Sequence, residues 1–261
     1  MKQQRFLRAW TLAAARALCG SPLLARSAAG APEEDGWRFA FSPYLWASGM
    51  EGEAALKGLP PQPVEMSFGD VWSNLDFAAL GAFEARRGRF GIGTDLVFMN
   101  LGAKVPLPDV LGHREPGIDV RQLMAEADVF YRAFSRASGH GRQAFVDVLA
   151  GARYSSVSAQ LETSVLPDTR RSFGWVEAVV GARGEAPLSR RLAIAGRADA
   201  AIGSEVSWQF LGDLKFRVSQ HWRIGAGYRY AEAHHEEGEG SARKLWSMTS
   251  QGPYFGAQVE W

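Results

Sequence analysis

The chain has 261 residues, 46% hydrophobic and 22% charged, with 29 basic residues against 28 acidic ones and a single cysteine. A near-balanced charge excludes the basic surface that nucleic acid requires as a partner, and one cysteine excludes a disulfide framework. Beyond the first residues there is no run of about 18 apolar residues, so no membrane-spanning helix is available.

In chain order, Lys2, Arg5 and Arg8 lead into an apolar stretch from Ala9 to Leu24 and then to Ser27, Ala28 and Ala29. This is the layout of a secretory signal peptide over residues 1–29, with cleavage expected near Ala29, although Arg16 interrupts the apolar stretch. Cys19 falls inside this segment, and the residues before it do not resemble a lipoprotein processing box. Cleavage would leave a cysteine-free domain over 30–261 with 24 basic and 28 acidic residues, a balance of −4.

From there apolar residues recur at every second position, the signature of strands. The candidates are 37–49, 75–86, 89–101, 120–134, 143–156, 173–186, 190–202, 206–218, 221–233 and 245–261, each long enough to cross hydrocarbon at a tilt, which takes about 9 to 11 residues. The clearest places Val206, Trp208, Phe210, Leu214, Phe216 and Val218 on one face and Ser207, Gln209, Asp213, Lys215 and Arg217 on the other. Strand 75–86 is less regular, because Ala78 and Leu80 fall on its polar face. Turn positions fix the pairing: Ile202 is expected opposite Val206, Val218 opposite Trp222, and Ala85 opposite Phe90. A slip of one residue would turn a strand inside out.

Connections alternate in length. Residues 86–89, 135–142, 187–189 and 219–221 are short, while 50–74, 102–119, 157–172 and 234–244 are long, and 203–205 is short where a long link is expected. Short periplasmic turns and long external loops are the habit of outer-membrane barrels. The last strand carries Phe255, Ala257, Val259 and Trp261 on one face and ends on an aromatic. The expected fold is therefore all-β, an antiparallel transmembrane β-barrel of about ten strands, with eight or twelve as alternatives. A soluble periplasmic barrel that binds a ligand has the same alternation with the faces reversed. The signal segment, the terminal aromatic and the aromatics near strand ends, Trp37, Phe90, Tyr131, Phe173, Trp222, Trp246 and Trp261, favour the membrane version, since interfacial girdles lie at such ends.

The stretch from Trp37 to Gly52, WRFAFSPYLWASGMEG, and the block from Asn74 to Leu96, NLDFAALGAFEARRGRFGIGTDL, resemble uncharacterised Gram-negative outer-membrane β-barrel proteins. The resemblance covers residues 37–101 and implies a fold and a membrane, with no activity attached.

With apolar faces turned to lipid, the lumen would hold Glu84, Asp95, Glu126, Asp128, Arg132, Asp147, Arg153, Glu177, Arg183, Arg197, Asp199, Asp213, Lys215, Arg217, Arg223 and Arg229. A basic side chain facing lipid at the midplane costs roughly 2 to 4 kcal/mol. Asp213 is expected to lie diagonal to Arg229 and near Lys215. These charges either pair and fill the bore or line a narrow path for small solutes; about eight strands leave an interior just filled by side chains, so ten lie near the filled limit. Partners expected from this reading are outer-membrane lipid, lipopolysaccharide and, through the final strand, the barrel-assembly machinery.

The rival class is an outer-membrane hydrolase with its site at the external rim. Its best residues are His234 and His235, followed by Glu236 and Glu237; adjacent strand residues point to opposite faces, so the two histidines would not share a metal unless the chain leaves the sheet there, and a solvated external loop through Glu236, Glu237, Gly238, Glu239 and Gly240 is the favoured reading of the run. No serine or threonine stands in a convincing setting beside a histidine, as a nucleophile would require. His113, His140 and His221 have no recognisable spacing. The 50–74 connection, with its Pro60, Pro61 and Pro63, is a candidate flap or plug. No phosphate loop, zinc set or calcium loop occurs, so no cofactor or metal is implied.

Overall fold

The computed structural model describes residues 36–55, 61–104, 117–138, 142–162, 169–238 and 243–261. The signal segment, His113, His140 and the Gly58–Pro60 part of the proline-rich run lie outside the described residues.

The strands are β1 (Trp37–Trp46), β2 (Gly49–Ala55), β3 (Gln62–Met66), β4 (Leu75–Arg87), β5 (Phe90–Lys104), β6 (Gly117–Ala137), β7 (Gln143–Glu162), β8 (Thr169–Pro187), β9 (Leu192–Ile202), β10 (Val206–Arg217), β11 (Trp222–Glu237) and β12 (Lys244–Glu260). They form one antiparallel sheet in the order β1-β4-β5-β6-β7-β8-β9-β10-β11-β12-β2-β3, closed by the additional pairing of β1 with β12. Closure removes the sheet edges from the ten-stranded part of the wall, while β3 pairs with β2 alone.

β1 and β2 together make one stave, because both run along β12 in the same register, Trp46 opposite Tyr254 and Gly49 opposite Gln251. Between them, at Ala47 and Ser48, the stave leaves β4 and takes up β3 as its neighbour instead. Gly252 permits that bend: a Cβ there would lie 2.0 Å from the Ala47 carbonyl oxygen. The 50–74 connection is thus a β2–β3 hairpin followed by a short helix α1 (Phe68–Ser73). Helix α1 starts on a capping box. The Ser67 hydroxyl and amide donate to the Asp70 carboxylate at 2.6 and 2.9 Å, and the hydroxyl accepts from the Asp70 amide at 3.2 Å.

Ile202 opposes Val206, and the Val218 amide donates to the Trp222 carbonyl, as the turn positions require. The β4–β5 hairpin differs. Arg87, not Ala85, is the residue paired with Phe90, and Ala85 opposes Ile92. Gly88 takes a φ of 57° and tightens the connection to a two-residue turn. The shift is even, so every side chain keeps its face.

Wall height is uneven. β8, with the neighbouring β5 to β7, rises well past the Gly203–Glu205 hairpin that joins β9 to β10, and β11, with β12, β2 and β3, reaches the level of that hairpin and beyond. Above that hairpin the taller strands make two panels facing each other. Since short turns are periplasmic in such barrels, the panels stand at the external end, and Trp37 and Trp261 at the periplasmic one.

Candidate functional site

The outer face is apolar. Along β10, Val206, Trp208, Phe210, Leu214 and Phe216 are exposed while Ser207 and Gln209 are buried. Trp37, Phe90, Tyr131, Trp222 and Trp261 are also exposed, all at the periplasmic end, where they form an aromatic girdle. Phe173 and Trp246, expected in a girdle, turn inward instead and are buried. They belong to the panels, which bury aromatics against each other.

Inside, a belt of ion pairs crosses the bore at mid-height. Arg153, with its side chain 3% exposed, donates from Nε to Glu126 at 2.8 Å and from Nη2 to Asp199 at 2.7 Å. Arg197 bonds Asp199 at 2.7 Å and Asp128 at 3.3 Å, and reaches Glu126 as well. The belt continues through Gln209, which donates to Asp199 at 3.0 Å and accepts from Arg229 at 2.7 Å. Arg229 then meets Asp95 at 3.0 Å and the Tyr44 hydroxyl at 2.8 Å, and that hydroxyl donates to Asp95 at 2.7 Å. Charges this deep persist only when paired and hydrogen-bonded.

Toward the periplasm a second set follows. Arg132 forks onto Asp147 at 2.8 and 3.2 Å, and Arg183 contacts Asp147 at 3.4 Å and Glu84 at 3.0 Å. The Arg132 and Arg183 guanidinium groups also sit 3.8 and 4.0 Å above the rings of Phe145 and Phe130. Gly91 makes room for Phe130, since a Cβ there would lie 2.2 Å from its ring. At the rim Glu185 takes Arg142 at 2.7 Å, Arg223 at 3.3 Å and Lys215 at 3.7 Å. A cavity of about 550 Å³ runs from Trp261, His221 and Arg38 at the rim up to Tyr44, Gln209 and Arg229 in the belt.

Of the ionic residues named from the sequence, Glu84, Asp95, Asp128, Arg132, Arg183, Arg197, Asp213, Lys215, Arg223 and Arg229 border the cavity, and Glu126, Asp147, Arg153, Glu177 and Asp199 are buried. Arg217 sits at the rim, outside the cavity lining, and Glu177 stands above the belt, bonded to Ser207 at 3.3 Å. Asp213 opposes Gly227 and so lies diagonal to Arg229, as expected, while the ion pair of Arg229 goes across the bore to Asp95. Tyr44, Arg142 and Glu185 belong to the network without having been named from the sequence; a parity count along β1 and β8 places Tyr44 and Glu185 on the inner face, whereas Arg142 sits in a turn.

Above the belt the interior becomes apolar. Phe173, Trp175 and Val157 on one panel pack against Met50, Trp246 and Met248 on the other, with Val64, Met66 and Ala233 at the margin. His235 stacks on Trp175 with ring centroids 4.8 Å apart and planes 4° from parallel, and its Nδ1 lies 3.3 Å from Ser204 Oγ, tying β11 to β8 at the short hairpin. This explains the irregular strand 75–86: Ala78 and Leu80 oppose Met99 and Val97, both buried, in the apolar upper interior.

No family model and no curated protein matches the chain. Among solved structures it is similar to Ail, the attachment invasion locus protein of Yersinia pestis, at 10% identity and a TM-score of 0.39 over 87% of this chain and 99% of that one. It is similar to neisserial surface protein A at 13% identity and 0.34, over 86% and 98%. A FadL homologue of Pseudomonas aeruginosa matches at 8% identity and 0.35, over 86% and 90%. What decides the class of this chain is its own pair of faces, apolar outside and ionic inside, the reverse of a soluble barrel. The chain is an outer-membrane β-barrel.

The barrel's histidines separate by face. His235 points inward onto Trp175, whereas His234 points outward, with Nδ1 2.9 Å from Ser247 Oγ. A serine therefore does stand beside a histidine, brought there by the β11–β12 register. Among the described residues no group of His, Cys, Asp and Glu side chains is arranged to hold a metal.

Proposed function

We propose that the barrel is a closed membrane scaffold with a narrow charged lumen, blind at the external end and open to the periplasm as an ionic vestibule, rather than a constitutive pore. The observation that carries this reading is the stacking of two seals, the Arg153–Glu126–Asp199–Arg197 belt and the apolar cluster of the facing panels above it. The belt fills the bore with paired side chains, as expected near this strand number, and the cluster excludes water from the mouth. Small solutes would enter from the periplasmic rim and go no further. The outward apolar band would meet outer-membrane lipid and lipopolysaccharide, and β12 would be the strand read by the barrel-assembly machinery after removal of residues 1–29. Liposomes carrying the folded barrel should hold an entrapped small sugar as long as empty liposomes do. Release at the rate given by a general porin would refute the scaffold reading.

A further inference from the structure

The outward faces of β11 and β12 carry a group of side chains that the lumen does not use. His234 and Ser247 oppose each other directly across the two strands, and Ser247 Oγ lies 2.9 Å from His234 Nδ1. The other ring nitrogen, Nε2, is 3.8 Å from Glu232 Oε2, on the same strand face. Glu232 is anchored in turn, taking the Tyr230 hydroxyl at 2.5 Å and the Trp208 amide at 3.4 Å. The His234 amide donates to Ser207 Oγ at 2.9 Å, which fixes the base from behind. A cross-strand serine and histidine alone make an ordinary polar contact. Here the second ring nitrogen has a carboxylate beside it, that carboxylate has its own anchors, and the His234 and Glu232 side chains remain 24% and 22% exposed. Hydroxyl, base and orienting acid in sequence are what nucleophilic catalysis requires.

We propose that Ser247, His234 and Glu232 form a serine esterase site acting on uncharged acyl esters at the external surface of the membrane. The substrate class follows from position and charge. The exposed apolar side chains of β11 run from Trp222 through Ile224 to Tyr228. His234 lies beyond them by about 20 Å of strand, less in height for a tilted stave, and Glu232 and His234 sit beside the exposed Val206 and Trp208 at the outer end of β10, which sets the site at the external margin of the apolar band, among headgroups and ester linkages. Glu53 of β2 opposes Ser247 on its far side and is exposed, so an adjacent phosphate is disfavoured. In the reaction Ser247 Oγ attacks the ester carbonyl carbon while its proton passes to His234 Nδ1. The carbon–oxygen bond of the ester then breaks, and the alcohol leaves with that proton. Water attacks the acyl-serine, gives a proton to His234, and releases the carboxylic acid as the proton returns to Ser247. Glu232 is a positioning residue that holds the ring and steadies its charged form.

The test is made on the full folded barrel in detergent micelles, with heat-modifiable migration as the check on folding. The probes are a fluorophosphonate, which reacts with activated serines, and p-nitrophenyl hexanoate. Expected results are modification at Ser247 and ester hydrolysis that falls about 10²-fold or more in Ser247→Ala and His234→Gln. Glu232→Gln should lower kcat about tenfold and leave KM unchanged, a split that mere loosening of the strand would not produce. A folded wild-type barrel that hydrolyses no faster than Ser247→Ala, modification at another serine, or labelling at the wild-type rate in His234→Gln overturns the proposal. If Ser247→Ala does not fold, the labelling rates of wild type and His234→Gln decide the matter.

Discussion

Replacing Arg153 with methionine removes the central cation of the belt while keeping most of its volume. Glu126 and Asp199, whose side chains are 2% and 0% exposed, then share only Arg197. Removing one partner of a buried ion pair costs about 3–5 kcal/mol, because the other charge stays behind without compensation. That is about a hundred- to several-thousand-fold in the folding constant, at about 1.4 kcal/mol per tenfold. The control is Lys244→Met, which breaks the pair with Glu237, whose members are 29% and 60% exposed; exposed pairs contribute about 0–1 kcal/mol. Equilibrium unfolding in urea, followed by tryptophan fluorescence in lipid vesicles, compares the two. Adding Asp199→Asn to Arg153→Met should recover part of the loss, since it removes one stranded charge. A loss in Arg153→Met no larger than in Lys244→Met would refute the view that the belt is a buried, interlocked network.

Gly91→Ala should destabilise the barrel by about 1–3 kcal/mol through overpacking against Phe130, read by the same urea titration. Gly252→Ala should cost more and reduce the yield of heat-modifiable barrel, because its clash is with the Ala47 carbonyl oxygen, which no rotamer change relieves. Hydrogen bonds from the Ser67 hydroxyl and amide hold the Asp70 carboxyl below the usual carboxylate range. The carboxylate half of the cap on α1 is accordingly at full strength at neutral pH and weakens as pH falls through that lowered value, while the bond from the Asp70 amide to the Ser67 hydroxyl remains; Ser67→Ala should return Asp70 toward ordinary titration by NMR.

Strand positions were legible because lipid outside and charge inside impose a strict period of two over long segments, as in Val206 to Val218. What stayed hidden depends on register across the bore or at the rim. Asp95 and Arg229 sit on β5 and β11, and nothing along either strand announces that they meet. The Ser247–His234 pair depends on the β11–β12 register, which is set by the long connection between those strands. Phe173 and Trp246 read as girdle residues because strand ends are where girdles lie, yet these strands turn the same aromatics onto each other. The hairpin at 203–205 was the visible sign of uneven height, and the two panels above it are its consequence.

The most direct test of the closed lumen is the current through single folded barrels in a planar bilayer. Wild-type barrels should be silent, and brief openings should appear when Trp175→Ala and Trp246→Ala together empty the apolar cluster above the belt. Steady conductance steps in the wild-type barrel, unchanged by that pair of substitutions, would contradict the closed lumen.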